Sequence, residues 1–234
     1  MRKFLTALAL VSILGSINGN AIEAAQPFVT AKDIDLTHFL PAPPANDSKQ
    51  TKEEIAEILN IQGNRTPEQA SAAVADAEEN VWRFADVMGS NFTATKLPKI
   101  SAFFDRIAAT EGAVIDPAKD FWKRPRPHML SDKINPIVKK SKSGSWPSGH
   151  ATLGYLMATL LSDMVPEKRN ELYSRASQYA ENRIIAGIHY RSDTIMSRTA
   201  AALIVQKMFE QPDFKAEFDM AQKELRSNLG YKLQ

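Results

Sequence analysis

The sequence predicts an all-α fold, and three observations predict it. Apolar residues recur at helical spacing in one segment after another, proline and glycine stand at the starts and ends of those segments, and sustained period-two alternation between turn residues is hard to find. With 234 residues, 44% hydrophobic and 24% charged, the chain can bury the core of one domain. No internal repeat is visible, and no segment after the N-terminus is apolar over 18 or more residues, so a single-domain helical bundle is expected rather than a solenoid or a multi-span membrane protein.

The first element is not part of that bundle. Arg2 and Lys3 precede an apolar run from about Phe4 to Ile17 and then small residues, which reads as a secretory signal over residues 1–21, with cleavage after Ala21 or as late as Ala24 or Ala25. A periplasmic or secreted protein, with no stable membrane insertion once the signal is removed, is the expectation. Removing Arg2 and Lys3 from 29 basic residues leaves 27 against 27 acidic ones, so no overall basic field points to nucleic acid. The chain has no cysteine, which excludes disulfides, thiol nucleophiles and thiolate metal sites.

Residues 22–50 contain the proline-rich stretch LPAPPANDSKQT and read as an extended arm, leading into the helical domain at 51–234 with KEEIAEIL as its first helix. From Thr66 to Gly89 a cap residue, proline at the first helical position and a closing glycine predict one long helix. Further helices are predicted at about 98–112, 149–164, 167–186, 193–209 and 212–228. Apolar faces left over after packing leave a homodimer open, although no heptad pattern specifies one.

Three stretches carry chemistry. In PSGH, Gly149 lets a ligand approach the backbone at a helix start whose free N–H groups favour an anion, Ser148 can cap the helix, and His150 sits where an anionic ligand would stabilise its charged form. In KDFWKRPRP, Lys119, Lys123, Arg124 and Arg126 gather four cations, and the two prolines are expected to keep the end of the cluster out of a regular helix. In NRIIAGIHYRSD, Asp193 follows His189 by four residues, so its carboxylate can fix the imidazole tautomer and leave the other ring nitrogen as a nucleophile, provided that the backbone turns into a helix there. Guanidinium forks, an ammonium, a hydroxyl and amide N–H groups suit a tetrahedral oxyanion, and two histidines can divide attack and proton donation between them.

These stretches resemble the three-part signature of the type 2 phosphatidic-acid phosphatase and vanadium haloperoxidase superfamily. Lys119, six residues and Arg126-Pro127 match the first part; Pro147, Ser148, Gly149 and His150 match the second; Arg183, five residues, His189, three residues and Asp193 match the third. Asn182 stands where the family usually has serine. The signal, the length and residues 100–228 resemble the bacterial class A non-specific acid phosphatases, and residues 22–95 do so only loosely.

The resemblance implies an all-α fold, no cofactor, no metal and a phosphohistidine intermediate. His189 would attack phosphorus, Asp193 would orient it, and His150 would protonate the leaving oxygen. Lys119, Arg126, Ser148, Gly149 and Arg183 would hold the phosphate oxygens. Lys123, Arg124 and Arg191 are expected to add positive field at the entrance, with His128 a loop residue and the rim formed by 128–145 and the loop before Lys119. The expected activity is hydrolysis of small soluble phosphate monoesters, with a bell-shaped pH dependence on the acidic side and inhibition by vanadate. Lipid phosphate hydrolysis, vanadate-dependent halide oxidation and non-catalytic phosphate binding are the other readings. The four histidines, His38, His128, His150 and His189, show no close metal-ligand spacing.

Overall fold

A computed structural model describes residues 25–232, so the signal expected at 1–21 lies outside the described residues. In chain order the helices are α1 (Lys49–Asn64), α2 (Pro67–Ala75), α3 (Ala85–Met88), α4 (Pro98–Trp122), α5 (Pro127–Leu130), α6 (Gly149–Met164), α7 (Arg169–Ile185), α8 (Arg191–Met208) and α9 (Pro212–Leu229). Short 3-10 turns lie at Leu36–His38, Val81–Phe84 and Pro166–Lys168, and no strand occurs among the described residues.

The apolar sequence of α6 has no wide polar face, and the helix is buried nearly all round, with α4, α7 and α8 packed about it. Gly154 sets the α6–α7 approach, since a Cβ there would lie 2.8 Å from Tyr179 Cδ1. Burying α6 fixes its N-terminus, and with it Gly149 and His150, at one end of the bundle.

The arm joins the same core. Phe28, Val29, Ile34, Leu36 and Leu40 are buried, the Phe28 ring meets Phe214 edge-on at 5.1 Å, and the Arg106 guanidinium lies 3.7 Å above its centre. Such aromatic contacts anchor an irregular segment that has few backbone bonds of its own.

Two helical expectations need correction. The helix predicted from Thr66 to Gly89 starts as expected, with Thr66 and Gln69 bonding each other's backbone N–H, but α2 ends at Ala75. Asp76 breaks it: its buried carboxylate accepts from Arg83, Arg175 and Asn182 at 2.6–2.9 Å, and the chain turns there before α3. That buried network outweighs helix propensity, which amounts to tenths of a kcal/mol per residue. Conversely, the helix predicted to end near residue 112 runs to Trp122 with Pro117 inside it, because its apolar face packs on α6 and α9. Lys119 therefore stands on a helix, and no loop precedes it.

Candidate active site

α4 ends abruptly at Lys123, which adopts a left-handed conformation (φ 49°) and donates its N–H to Lys119 O. The reversal sends the chain inward, so Arg124 and Arg126 are both buried. Arg126 is held by protein carbonyls: Nε donates to Ser143 O at 3.0 Å, Nη2 to Gly144 O at 3.3 Å and Nη1 to Ile188 O at 3.2 Å. Burial brings its pKa down to about 10, with Asp193 opposing and Arg183 assisting, so the guanidinium stays charged at neutral pH.

His189 lies between α7 and α8, after Gly187, whose φ of 73° lets the chain turn back. Asp193 occupies the first turn of α8 and its Oδ2 accepts from the Tyr190 N–H at 2.9 Å, the reach-back contact of a capped helix start. The same oxygen lies 3.1 Å from His189 Nδ1, while Oδ1 accepts from Arg124 Nη1 at 2.6 Å. Burial pushes the Asp193 carboxyl upward, whereas Arg124 and the Tyr190 N–H pull it down. Those two neighbours are obligate donors with no lone pair to receive a carboxyl proton, so the site holds the carboxylate.

His189 Nε2 is 2.9 Å from Arg126 Nη1. Arginine only donates, so Nε2 is the accepting nitrogen and Nδ1 carries the proton toward Asp193. Burial, reinforced by Arg126, Arg183, Lys119 and His150, holds the ring well below the ordinary histidine pKa and therefore neutral.

A cavity of about 360 Å³ brings Lys119, Arg126, Gly149, His150, Arg183 and His189 together. Arg183, in the last turn of α7, is buried and donates to Asp76 O at 3.3 Å. A Cβ at Gly149 would lie 2.4 Å from Glu111 Oε1 and 2.8 Å from Lys119 Nζ, so any side chain there would displace these two cavity groups. Asp193 backs the cavity through His189. Ser148 is not among the residues lining the cavity: its hydroxyl accepts from Ala151 N at 3.4 Å as the cap of α6.

Both nitrogens of His150 have partners. Nδ1 is 2.8 Å from Glu79 Oε1 and Nε2 is 3.0 Å from Ala77 O, two acceptors that a doubly protonated ring satisfies. Burial would push Glu79 up, but the hydrogen bond and charge of His150, with Lys119 and Arg183, bring it below the ordinary carboxylate range.

The cations expected at the entrance are elsewhere. Arg124 is buried between Asp193 and Glu54, Arg191 bridges Glu57 and Glu181, and Lys123 is exposed away from the cavity lining. His128 is half-buried beside the site without lining it. The 128–145 segment contributes Lys139, Ser141 and Ser143 to the wall.

Sequence reasoning missed the acidic members of the cavity: Glu79, Glu111 and Asp116. Asp116 was findable, three residues before Lys119 on one helix face and 3.0 Å from its Nζ. Glu79 sits in the irregular turn after Asp76, where no periodicity marks it. Among the described residues no group of three or more His, Asp or Glu side chains is arranged to hold a metal ion.

Residues 106–216 match the family model described as the PAP2 superfamily. The non-specific acid phosphatase of Salmonella typhimurium is 28% identical over 213 residues, covering 87% of this chain and 85% of that protein. A crystal structure of a transmembrane PAP2-type phosphatidylglycerolphosphate phosphatase from Bacillus subtilis superposes with a TM-score of 0.50 at 15% identity, covering 70% of this chain and 87% of that one. A bacterial vanadium-dependent iodoperoxidase gives 0.50 at 17% identity, covering 73% and 52%. At those identities the two structures share the fold alone.

Proposed function

We propose that this chain, whose residues 106–216 match the PAP2 superfamily model, is an acid phosphatase of that superfamily that hydrolyses small phosphate monoesters through a phosphohistidine. The observation that carries this reading is the placement of His189, with Nδ1 against Asp193 and Nε2 against Arg126 in a cavity walled by Lys119, Arg126 and Arg183, an arrangement that suits a neutral ring with its proton on Nδ1.

In this reading Nε2 attacks phosphorus, and the N–P bond forms as the P–O bond to the leaving group breaks. The electron pair of that bond passes to the leaving oxygen, which takes a proton from His150. Water then attacks the phosphohistidine, gives its proton back to His150 and releases orthophosphate. The Asp193 carboxylate stabilises the positive charge that the His189 ring carries in between. Lys119, Arg126, Arg183 and the N–H groups at the start of α6 supply charge aimed at the nonbridging oxygens, which is most of what a loose phosphoryl transition state requires. Proton delivery asks one N–H of His150 to turn from Ala77 or Glu79 to the substrate. Ser148 contributes by holding the α6 terminus.

Export to the periplasm is part of the proposal and rests on the order of cations, apolar run and small residues at the N-terminus. No helix among the described residues is long and apolar enough to cross a membrane, which favours small soluble esters over lipid phosphates. The test is orthophosphate release from 4-nitrophenyl phosphate and from a micellar lipid phosphate across pH, with and without vanadate and chelator. Acid-side, vanadate-sensitive, chelator-resistant turnover of the soluble ester is expected. Absence of turnover, or restoration of activity by an added metal, contradicts the proposal.

A further inference from the structure

A second cavity, of about 600 Å³, opens off the first and shares His150, Arg183, Lys139 and Ser141 with it. Its remaining wall carries Lys140 and Lys142, and no carboxylate lines it. Lys139, Lys140 and Lys142 have no ion-pair or hydrogen-bond partner among the described residues, whereas Lys119 in the first cavity is paired with Asp116. Three uncommitted ammonium groups within four residues thus line a chamber that His150 also borders.

That position has a chemical meaning. Attack by His189 is in line with departure of the leaving group, so the leaving group lies on the side of phosphorus away from His189, where His150 protonates it. His150 is also one of the four residues that line both cavities. A leaving group protonated by His150 is therefore next to a residue that also lines the lysine-bearing chamber. A neutral alcohol gains nothing there, while a leaving group that is itself an anion gains the field of three cations in a chamber whose own lining holds no carboxylate.

We infer that the Lys139–Lys142 chamber is a leaving-group subsite for a second phosphoryl group, making phosphoanhydrides such as inorganic pyrophosphate and nucleoside diphosphates preferred substrates. The inference rests on the phosphatase reading above. In the reaction the terminal phosphorus goes to His189 Nε2, the bridging P–O bond breaks, and its electron pair stays on the bridging oxygen, which His150 protonates. Orthophosphate or a nucleoside monophosphate departs past Lys140 and Lys142, and water then releases the transferred phosphoryl group from His189 as orthophosphate.

The test compares inorganic pyrophosphate with 4-nitrophenyl phosphate on the full chain at fixed ionic strength. It uses the wild type, Lys140→Ala with Lys142→Ala, and Lys140→Glu with Lys142→Glu; these exposed side chains touch only the second cavity. KM for pyrophosphate should rise about five- to tenfold in the alanine pair and further in the glutamate pair, with 4-nitrophenyl phosphate within about twofold of wild type. Equal shifts for both substrates, or no shift for pyrophosphate, overturn the inference. Wild-type turnover of 4-nitrophenyl phosphate without turnover of pyrophosphate overturns it alone and leaves the phosphatase reading standing, whereas turnover of neither overturns both.

Discussion

Arg126 Nη1 stands 2.9 Å from His189 Nε2, and that contact decides which ring nitrogen can react. The guanidinium cannot accept, so the Nε2 lone pair is directed at a cation that the protein itself holds through Ser143, Gly144 and Ile188. In the proposed reaction an incoming phosphate would compete for the same guanidinium and so arrive beside His189 Nε2.

Replacing Arg126 by lysine keeps a charge but not a planar fork that bonds several partners at once. Arg126→Lys should lower kcat/KM by about two to three orders of magnitude with a smaller effect on stability. Steady-state kinetics beside urea unfolding checks this, and near-normal kcat/KM would show that positive charge alone suffices.

Arg124 acts from behind the site. It is buried between Asp193 at 2.6 Å and Glu54 at 3.0 Å, so Arg124→Met would leave two carboxylates without their cation. A loss of about 3–5 kcal/mol in unfolding free energy is expected. The half-exposed Arg191, also paired with two glutamates, should cost only about 0–1 kcal/mol on replacement by alanine. Equal costs for the two variants would contradict the assignment of Arg124 as the buried counter-ion.

Asn182 departs from the family signature, and the structure gives the departure a place. Its amide donates to Asp76 Oδ2 at 2.7 Å, and the backbone carbonyl of Asp76 holds Arg183. Asn182→Ala should cost about 1–2 kcal/mol of stability and raise KM severalfold while leaving kcat nearly unchanged. A fall in kcat at constant KM would place Asn182 in the chemistry instead.

Glu111 links folding to pH. Burial pushes its carboxyl up to about 8, opposed by Lys119 and assisted by Glu79 and Asp116. Because the folded pKa lies above the unfolded value, the folded chain keeps a proton that the unfolded chain releases. Stability from this group is complete below about pH 4.5 and is lost as pH rises toward about 8. Urea midpoints of wild type should therefore fall relative to Glu111→Gln across that window. Midpoints that run parallel with pH would show that Glu111 ionises normally. Above the window the ionised Glu111 also adds negative charge beside Lys119, so KM for phosphate esters should rise in wild type and less in the glutamine variant.

The all-helical class was legible because periodicity and end signals are local, and α6 was delimited correctly because its punctuation and its burial agree. The Thr66 helix was misread because Asp76, an unremarkable polar residue in sequence, is tied to Arg83, Arg175 and Asn182 from elsewhere in the chain. The three motif stretches meet in or behind one cavity, as their complementary chemistry implied, yet the cluster Lys119 to Arg126 could not be sorted from sequence. The left-handed turn at Lys123 points Arg124 at Asp193 and Arg126 at His189, and φ at a lysine carries no compositional signal. Glu79 and Glu111 escaped for a related reason: a carboxylate in an anion site contradicts the charge logic that found the other residues.

The central claim is tested most directly by rapid acid-free quenching of the full chain during turnover of a labelled phosphate ester, followed by peptide mapping. One phosphoryl group, stable to alkali and labile to acid, should be found on His189 of the wild type and be absent from His189→Ala, which should still bind orthophosphate. Label on any other residue, or normal turnover by His189→Ala, would contradict the account.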